Sequence, residues 1–506
     1  MIFKTSLSIR KDPNSGYVNI LLCPGILGRC PVKKYDMIVI GSGSGLEVAQ
    51  AALAEKPGWK IAIIDKDELG GICLTRGCVP SKILLYPAEL VRTIQGAGAF
   101  GITVDLKNVD FASVMNRMRN LIREDTMKIR KGLQATDRVE FYHTAAEFVS
   151  PYTLQAGGDT ITSRMIVLCT GSRPSIPPVN GLAETGYLTS DTVIHLDTLP
   201  ESIAIIGGGY IAAEYGHFLA AMGSNVTIIG RNPQFIPEEE PEISALAQKE
   251  LAEHLTILTN REVIGTEKTA DGKKRVVTQD RDSKRESDVI ADEILVATGR
   301  SPNTDLLHPE KAGIRTEKGW IQVNEYLETS QQGVWAMGDA LGRHPFKHTA
   351  NYEAEIVYDN AILEEKIPAE YPVVPHAVFT SPEIAAMGLG EREAVEKYGE
   401  EKILIGFRRY EDTVKGTAIG ARRYFVKAIV AKEDRRILGA HIVGPYASIL
   451  IQEIINLMYT DSRSAEYVTD SLHIHPAMPE VVQQAFSSLM TPEDYHRLMK
   501  ESGGSS

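Results

Sequence analysis

Cysteine is scarce in this chain: five among 506 residues, at positions 23, 30, 73, 78 and 169. That spread is too thin for a disulfide scaffold and suggests a reducing compartment. Long apolar runs are also missing. None approaches the roughly 20 residues that a membrane helix requires. Positive charge is in deficit, with 54 Lys+Arg against 66 Asp+Glu and a formal charge of −12. Such a balance is ill suited to nucleic acid or to an anionic membrane surface. We therefore expect a cytoplasmic protein with neither partner. Hydrophobic residues make up 43% of the chain, ample for sizeable cores, and glycine is abundant at 43 residues. At about 100–200 residues per domain, the length suggests three or four domains.

Residues 1–34 read as an extension. A polar, turn-rich stretch, Lys11-Asp12-Pro13-Asn14-Ser15-Gly16, precedes the short apolar run Val18–Gly28. A secretory signal would join its basic and apolar parts near residue 1. A disordered tail, or a start placed upstream of the fold, is expected instead. The last six residues, Glu-Ser-Gly-Gly-Ser-Ser, have linker composition, and 491–506 read as a C-terminal tail.

The first strong signal is the apolar run Tyr35-Asp36-Met37-Ile38-Val39-Ile40, which enters Gly41-Ser42-Gly43-Ser44-Gly45-Leu46. Good helix formers follow, then a second apolar run, Lys60–Ile64, ending at Asp65. Strand, glycine turn, helix, strand and an acid about 20 residues on form a dinucleotide-binding pattern. The glycines admit a pyrophosphate, the helix N-terminus offers it unpaired N–H groups, and Asp65 would accept from a ribose diol. Leu46 occupies the third glycine position, so helix and strand are expected to pack slightly farther apart.

The unit recurs. Ser202–Ile206 runs into Gly207-Gly208-Gly209, with Ala212 at the third glycine position, and Asn225–Ile229 follows. Two units imply two dinucleotides. The second ends in Gly230-Arg231, where an NAD site would carry a carboxylate. An arginine there can meet a 2′-phosphate, so NADP is favoured over NAD.

Between the units lies Gly70-Gly71-Ile72-Cys73-Leu74-Thr75-Arg76-Gly77-Cys78-Val79-Pro80-Ser81-Lys82. A helical turn and a little more can bring the two cysteines together. If the segment opens a helix, its dipole favours thiolate over thiol. Two unrelated core cysteines fit the spacing alone equally well, but the position just after a dinucleotide unit, beside Gly-Gly and Pro, weighs against them. Cys169, inside an apolar run, is expected in the core.

Residues 70–82 and the two glycine units, with Thr170–Pro174, Ala297–Arg300, Met337–Ala340 and His473–Glu480, resemble the FAD-dependent pyridine nucleotide–disulfide oxidoreductases. The resemblance spans about residues 35 to 490 in the family's order. It implies an α/β fold: two Rossmann-like dinucleotide-binding domains, for FAD and NAD(P), plus a C-terminal α+β dimerisation domain. The expected boundaries are 35–195 and 298–370 for the two FAD segments, 196–297 for NAD(P) and 371–490 for dimerisation. It also implies a homodimer whose active site is shared between subunits.

The same resemblance suggests roles. Cys73 would be the outer thiol and Cys78 the inner one, against the flavin. Lys82 and Glu214 would pair beside it. Gly41, Gly43, Asp65, Thr170, Gly171, Ser172 and Asp339 would hold FAD, and Gly207, Gly209, Ala212 and Arg231 the nicotinamide nucleotide. Ala146, Val263, Gly299 and His348 would add cofactor contacts. His475, oriented by Glu480, would be the acid–base group. Thiol–disulfide exchange needs a thiolate attacker and a protonated leaving group, which an imidazole can serve near pH 7. His473 is the rival base.

The substrate is expected to be a small thiol or disulfide, of dihydrolipoyl type or a mycothione- or glutathione-like disulfide. A mercuric-reductase-like enzyme is disfavoured, because no cysteine follows Cys169. A non-redox thiol site for zinc is the rival from another class, although it would need more ligands at closer spacing. No resident metal is expected.

Overall fold

The computed structural model describes residues 32–502. Its organising elements are three sheets. The first is five-stranded and parallel, in the spatial order Val334–Ala336, Ile166–Leu168, Met37–Ile40, Ile61–Asp65, Val139–His143. Its central strands are buried on both faces, which is why they read as continuous apolar runs rather than alternating ones. The edge strand Val334–Ala336 comes from beyond the second glycine unit, so this layer is assembled from two separated segments of chain.

The second sheet is also five-stranded and parallel. Its order is Leu188–Thr189, Glu293–Val296, Ser202–Ile206, Asn225–Ile229, Thr256–Leu258. It reaches back to Leu188, before the expected boundary at 196, because Leu188 and Thr189 complete an edge against Leu295 and Val296. A three-stranded antiparallel insert, Arg261–Lys268, Lys274–Asp280 and Glu286–Ala291, projects from it. The third sheet has six antiparallel strands drawn from His376 to Met490 and is backed by the helices Ala447–Leu457 and Glu480–Ser487.

Both expected tails are shorter than the sequence suggests. The expected extension 1–34 lies mostly outside the described residues, but Lys33 and Lys34 pair as a strand with Ile161 and Thr162. Lys33 also bridges Glu140 at 2.7 Å and Asp159 at 2.6 Å. At the other end Pro492–Ser502 is a helix, anchored by Tyr495, which is buried against Phe407. Tyr495 also donates to Glu242 at 2.6 Å, and His496 lies 2.8 Å from Glu391, so several contacts hold this polar segment.

Four hydrophobic clusters make up the core among the described residues. One combines helix Cys78–Gly96 with helix Tyr210–Met222 and spans the redox segment and the second glycine unit. No helix among the described residues is long and apolar enough to cross a membrane.

Candidate redox site

The first glycine turn is shaped by close approach. Gly41 has φ +109°, and a Cβ there would stand 2.0 Å from the Cys169 carbonyl oxygen. The expected looser packing at Leu46 does not occur. Gly45, one residue earlier, supplies the contact: a Cβ on it would meet Cys169 Sγ at 2.2 Å and Val39 Cγ1 at 2.8 Å. Cys169 is half-buried against this turn, its Sγ 3.3 Å from the Gly41 carbonyl. Burial raises its thiol well above the ordinary range.

Asp65 ends its strand as expected. Its Oδ2 accepts from the Ser42 N–H at 2.7 Å and the Ser42 hydroxyl at 2.6 Å. Ser42 was not singled out by sequence, since a serine inside a glycine motif carries no signal of its own. Gly71 presses on the same turn: a Cβ there would come within 2.6 Å of Gly43 Cα. The two glycine segments thereby form one cradle.

The redox segment is two helices. Cys73 lies in the short helix Gly71–Thr75, and Cys78 is the first residue of Cys78–Gly96. The helix dipole therefore acts on Cys78 rather than Cys73. Cys73 is half-buried and Cys78 opens onto the cleft. The two thiols interact directly and titrate as a pair. Cys78 is pushed down to about 7, first by the Cys73 hydrogen bond and then by the charge of Lys82, against an opposing burial effect. Cys73 is pushed far up by that same bond and by burial. Both shifts favour the thiolate at Cys78 and the thiol at Cys73.

Lys82, one turn along the same helix, reaches Glu214 at 2.9 and 2.8 Å. Glu214 is buried and also accepts the Phe379 N–H at 3.1 Å. The Lys82 ammonium lies 4.8 Å from the Phe379 ring centroid. This pair links the redox helix to the helix of the second glycine unit.

Asp339 accepts from Ser172 Oγ at 2.5 Å, and Arg300 Nε donates to the same hydroxyl at 2.7 Å. Lys347 donates to Ser44 Oγ at 2.7 Å and lines the cleft beside Cys73. Neither Arg300 nor Lys347 could be placed by sequence, being about 128 and 303 positions from their partners. Ala146, Thr170 and Gly171 line the cleft with Cys73, Cys78, Glu214 and Asp339. His348 does not. Its ring stacks on Phe346, with centroids 5.3 Å apart, while its neighbours Lys347 and Ala350 face the cleft. Burial lowers the His348 imidazole below its usual value.

The second glycine turn repeats the first. A Cβ on Gly207 would stand 2.1 Å from the Ala297 carbonyl, whereas Gly209 faces open space at the N-terminus of helix Tyr210–Met222. Ala212 is fully buried. Arg231 is exposed and 3.9 Å from Glu262. Val263 sits on the inserted hairpin and Gly299, at φ +102°, on an exposed turn; neither lines the cleft.

His475 and Glu480 lie elsewhere on the chain. His475 Nδ1 is 2.8 Å from Glu480 Oε1, and Glu480 Oε2 accepts the Ala477 N–H at 3.0 Å. The His475 side chain is 68% exposed and lines no part of the cysteine cleft. Its pairing with His475 holds the Glu480 carboxyl below its usual value. His473, the rival base, is turned inward at 7% side-chain exposure, 3.4 Å from Glu453.

Two dinucleotide cradles, a thiol pair between them and a separate antiparallel domain define a two-nucleotide disulfide oxidoreductase. Comparison with known proteins agrees. Residues 35–354 match the pyridine nucleotide-disulphide oxidoreductase family, and 374–486 its dimerisation domain. Mycothione reductase of Mycobacterium tuberculosis is 35% identical over 469 residues, covering 90% of this chain and 100% of the relative. Dihydrolipoyl dehydrogenase of Synechocystis is 31% identical over 468 residues, covering 89% and 98%. The HOCl-induced flavoprotein disulfide reductase RclA of Escherichia coli, solved as a Cu(II) complex, superposes with a TM-score of 0.80. It is 27% identical and covers 90% of this chain and 99% of its own. The chain belongs to the pyridine nucleotide-disulphide oxidoreductase family, an enzyme family that depends on FAD and a pyridine nucleotide.

The residues present fit an FAD. Thr170 Oγ1 is a buried hydroxyl without a protein partner at the cleft wall, and the Gly41–Gly43 turn presents bare backbone. They do not suggest a zinc thiolate site. Among the described residues the one group with metal-ligand spacing is Glu240, Glu242 and Glu391, which contains no cysteine and is engaged by Lys427.

Proposed function

We propose that the chain is an NADPH-dependent reductase of a small disulfide, working as a homodimer in the cytoplasm. The observation that carries the reading is the polarised thiol pair. Cys73 and Cys78 line one cleft with Lys82, which shares a helix with Cys78 and helps lower its pKa, while Cys73 is shifted upward. An FAD in the first cradle would relay an electron pair between the nicotinamide nucleotide and the Cys73–Cys78 disulfide. Gly41, Gly43, Asp65, Ala146, Thr170, Gly171, Ser172 and Asp339 would hold it. Gly207, Gly209, Ala212 and Arg231 would hold NADPH, with Val263 and Gly299 beside them.

Cys73 must lose its proton before it can attack, because its pairing with Cys78 raises its pKa. The base must come from outside the cleft wall, and His475 of the second subunit, held by Glu480, is the candidate. His475 takes the Cys73 proton. Cys73 sulfur then bonds to one substrate sulfur as the substrate S–S bond breaks. His475 returns the proton to the departing thiolate. Cys78 thiolate attacks Cys73 sulfur, closing the protein disulfide and expelling the second thiolate, which solvent protonates. Lys82 and Glu214 keep the redox helix and the nucleotide helix in register.

The full-length match to mycothione reductase and the Arg231 position support a disulfide reductase. The dihydrolipoyl reading runs the same steps backward and is supported by the Cys78-Val79-Pro80-Ser81-Lys82 run. Turnover of lipoamide, glutathione disulfide and other small disulfides, each with NADH and NADPH, separates them. We expect disulfide-dependent NADPH oxidation. A protein that oxidises neither nucleotide with any disulfide, or one that is colourless and zinc-loaded, overturns the assignment.

A further inference from the structure

The second nucleotide unit ends in an arginine, but the loop behind it, Asn232-Pro233-Gln234-Phe235-Ile236-Pro237, carries no other cation. One exposed guanidinium is a thin platform for a dianionic phosphate. The inserted hairpin changes that. Its first strand is stapled to the end of strand Asn225–Ile229: the Arg261 N–H donates to the Gly230 carbonyl at 2.9 Å, and the Asn260 N–H to the Asn232 carbonyl at 2.8 Å. The turn between its second and third strands then folds over the same corner. The Arg281 N–H donates to the Asn260 carbonyl at 3.0 Å, and Arg281 Nη1 stands 3.4 Å from the Arg231 carbonyl oxygen.

The acids at this corner are largely engaged. Asp280 accepts the Ser283 N–H and hydroxyl at 2.8 and 2.9 Å, which hold its carboxyl below the usual value. Its other oxygen is 3.7 Å from Arg261. Asp282 accepts from Asn260 Nδ2 at 2.8 Å. Glu262 faces Arg231 at 3.9 Å, a loose and exposed contact. Arg281 forms no ion pair among the described residues, and Arg261 Nη1 is buried without a partner. A second cation, Arg281, is thus held beside Arg231 at the strand end where a ribose 2′-substituent would lie.

We infer that Arg281 is a specificity residue, binding the 2′-phosphate of NADPH together with Arg231. The inference rests on the NADPH reading above and deepens it. The second arginine comes from the hairpin insert, about 50 residues after Arg231, instead of from the loop that follows the strand. Arginine suits this role, since its planar donors remain charged and can fork onto phosphate oxygens. The Asp280 and Asp282 contacts fix the turn, so less conformational freedom is lost when phosphate binds.

The test titrates the FAD-loaded full chain calorimetrically with 2′,5′-ADP and with 5′-AMP, which differ by the phosphate alone. Wild type should bind 2′,5′-ADP the more tightly. Arg281→Met should weaken 2′,5′-ADP about tenfold or more, the scale of one charge-assisted hydrogen bond, and leave 5′-AMP within about twofold. Arg281→Lys should restore part of the loss. Flavin content and circular dichroism confirm that the variants fold. If Arg231→Met discriminates between the probes and Arg281→Met does not, the Arg281 inference falls and the NADPH reading stands. If wild type binds both probes equally, the NADPH reading falls and takes the inference with it.

Discussion

Lys427→Met should be the most damaging substitution outside the redox site. Lys427 lies in strand Phe425–Ala431 with 1% side-chain exposure. Its ammonium meets Glu240 at 2.5 Å, Glu242 at 2.5 Å and Glu391 at 2.7 Å. These carboxylates come from the nucleotide layer and from helix Glu391–Tyr398, so one cation ties two layers together. Tyr495 donates to Glu242 at 2.6 Å, and His496 Nε2 lies 2.8 Å from Glu391. Glu240, Glu242 and Glu391 are 8, 20 and 13% exposed, so solvent cannot take over the lost charge. Removing one partner of a buried ion pair costs about 3–5 kcal/mol, and here three like charges would face one another. K427M/E240Q/E242Q/E391Q should recover most of the loss, because no uncompensated charge remains. The pH dependence has a defined sign. Lys427 holds the Glu242 carboxyl below its ordinary value. Its contribution is therefore present above the ordinary carboxylate range and is lost as pH falls through the depressed value. The gap between wild type and K427M should be largest near neutral pH and narrow in acid, where the stranded carboxylates protonate. Urea titration of the FAD-loaded protein measures the gap, with slopes checked for equality. A loss below about 1 kcal/mol, the scale of a surface pair, would refute the reasoning.

Cys73→Ala removes the hydrogen bond that most lowers Cys78, so the midpoint of Cys78 alkylation in the reduced protein should rise from about 7 toward the ordinary thiol range. An unmoved midpoint in peptide-mapped alkylation would assign the effect to Lys82 alone. Glu480→Gln should lower disulfide turnover by about tenfold to a hundredfold while leaving flavin reduction by NADPH intact, as a positioning residue of His475 would. Stopped-flow measurement of the two half-reactions separates these, and equal loss in both would remove Glu480 from that role. Gly45→Ala should reduce FAD retention and stability by about 1–3 kcal/mol, since the added methyl meets Cys169 Sγ and Val39. Unchanged thermal unfolding and flavin content would show that the turn relaxes freely.

Much of the chemistry was legible because it sits in short, local patterns. A strand, a glycine turn and a helix within about thirty residues state a dinucleotide cradle by themselves. The cysteine segment announces a redox pair when it follows such a cradle. The His475–Glu480 spacing encodes a local hydrogen bond, and the fold makes it at 2.8 Å. Local backbone geometry and five-residue spacing leave little for the rest of the chain to alter.

What depended on contacts between distant segments was not legible. Leu46 suggested loose packing because the Gly45 contact partner, Cys169, is over a hundred positions away. Residues 491–506 read only as a tail, yet Pro492–Ser502 is a helix whose Tyr495 is buried. Which thiol carries the charge was also beyond spacing, since the helix begins at Cys78 and Lys82 shares its axis. The sequence by itself determined two glycine-turn cradles, a closely spaced thiol pair and a His475–Glu480 contact, because each is a local arrangement of backbone and neighbours. Only the tertiary structure set the opposite shifts of the two thiols, placed His475 away from its own chain's cleft and brought Arg281 to the Arg231 carbonyl. Those outcomes depend on burial and on charges that folding brings together.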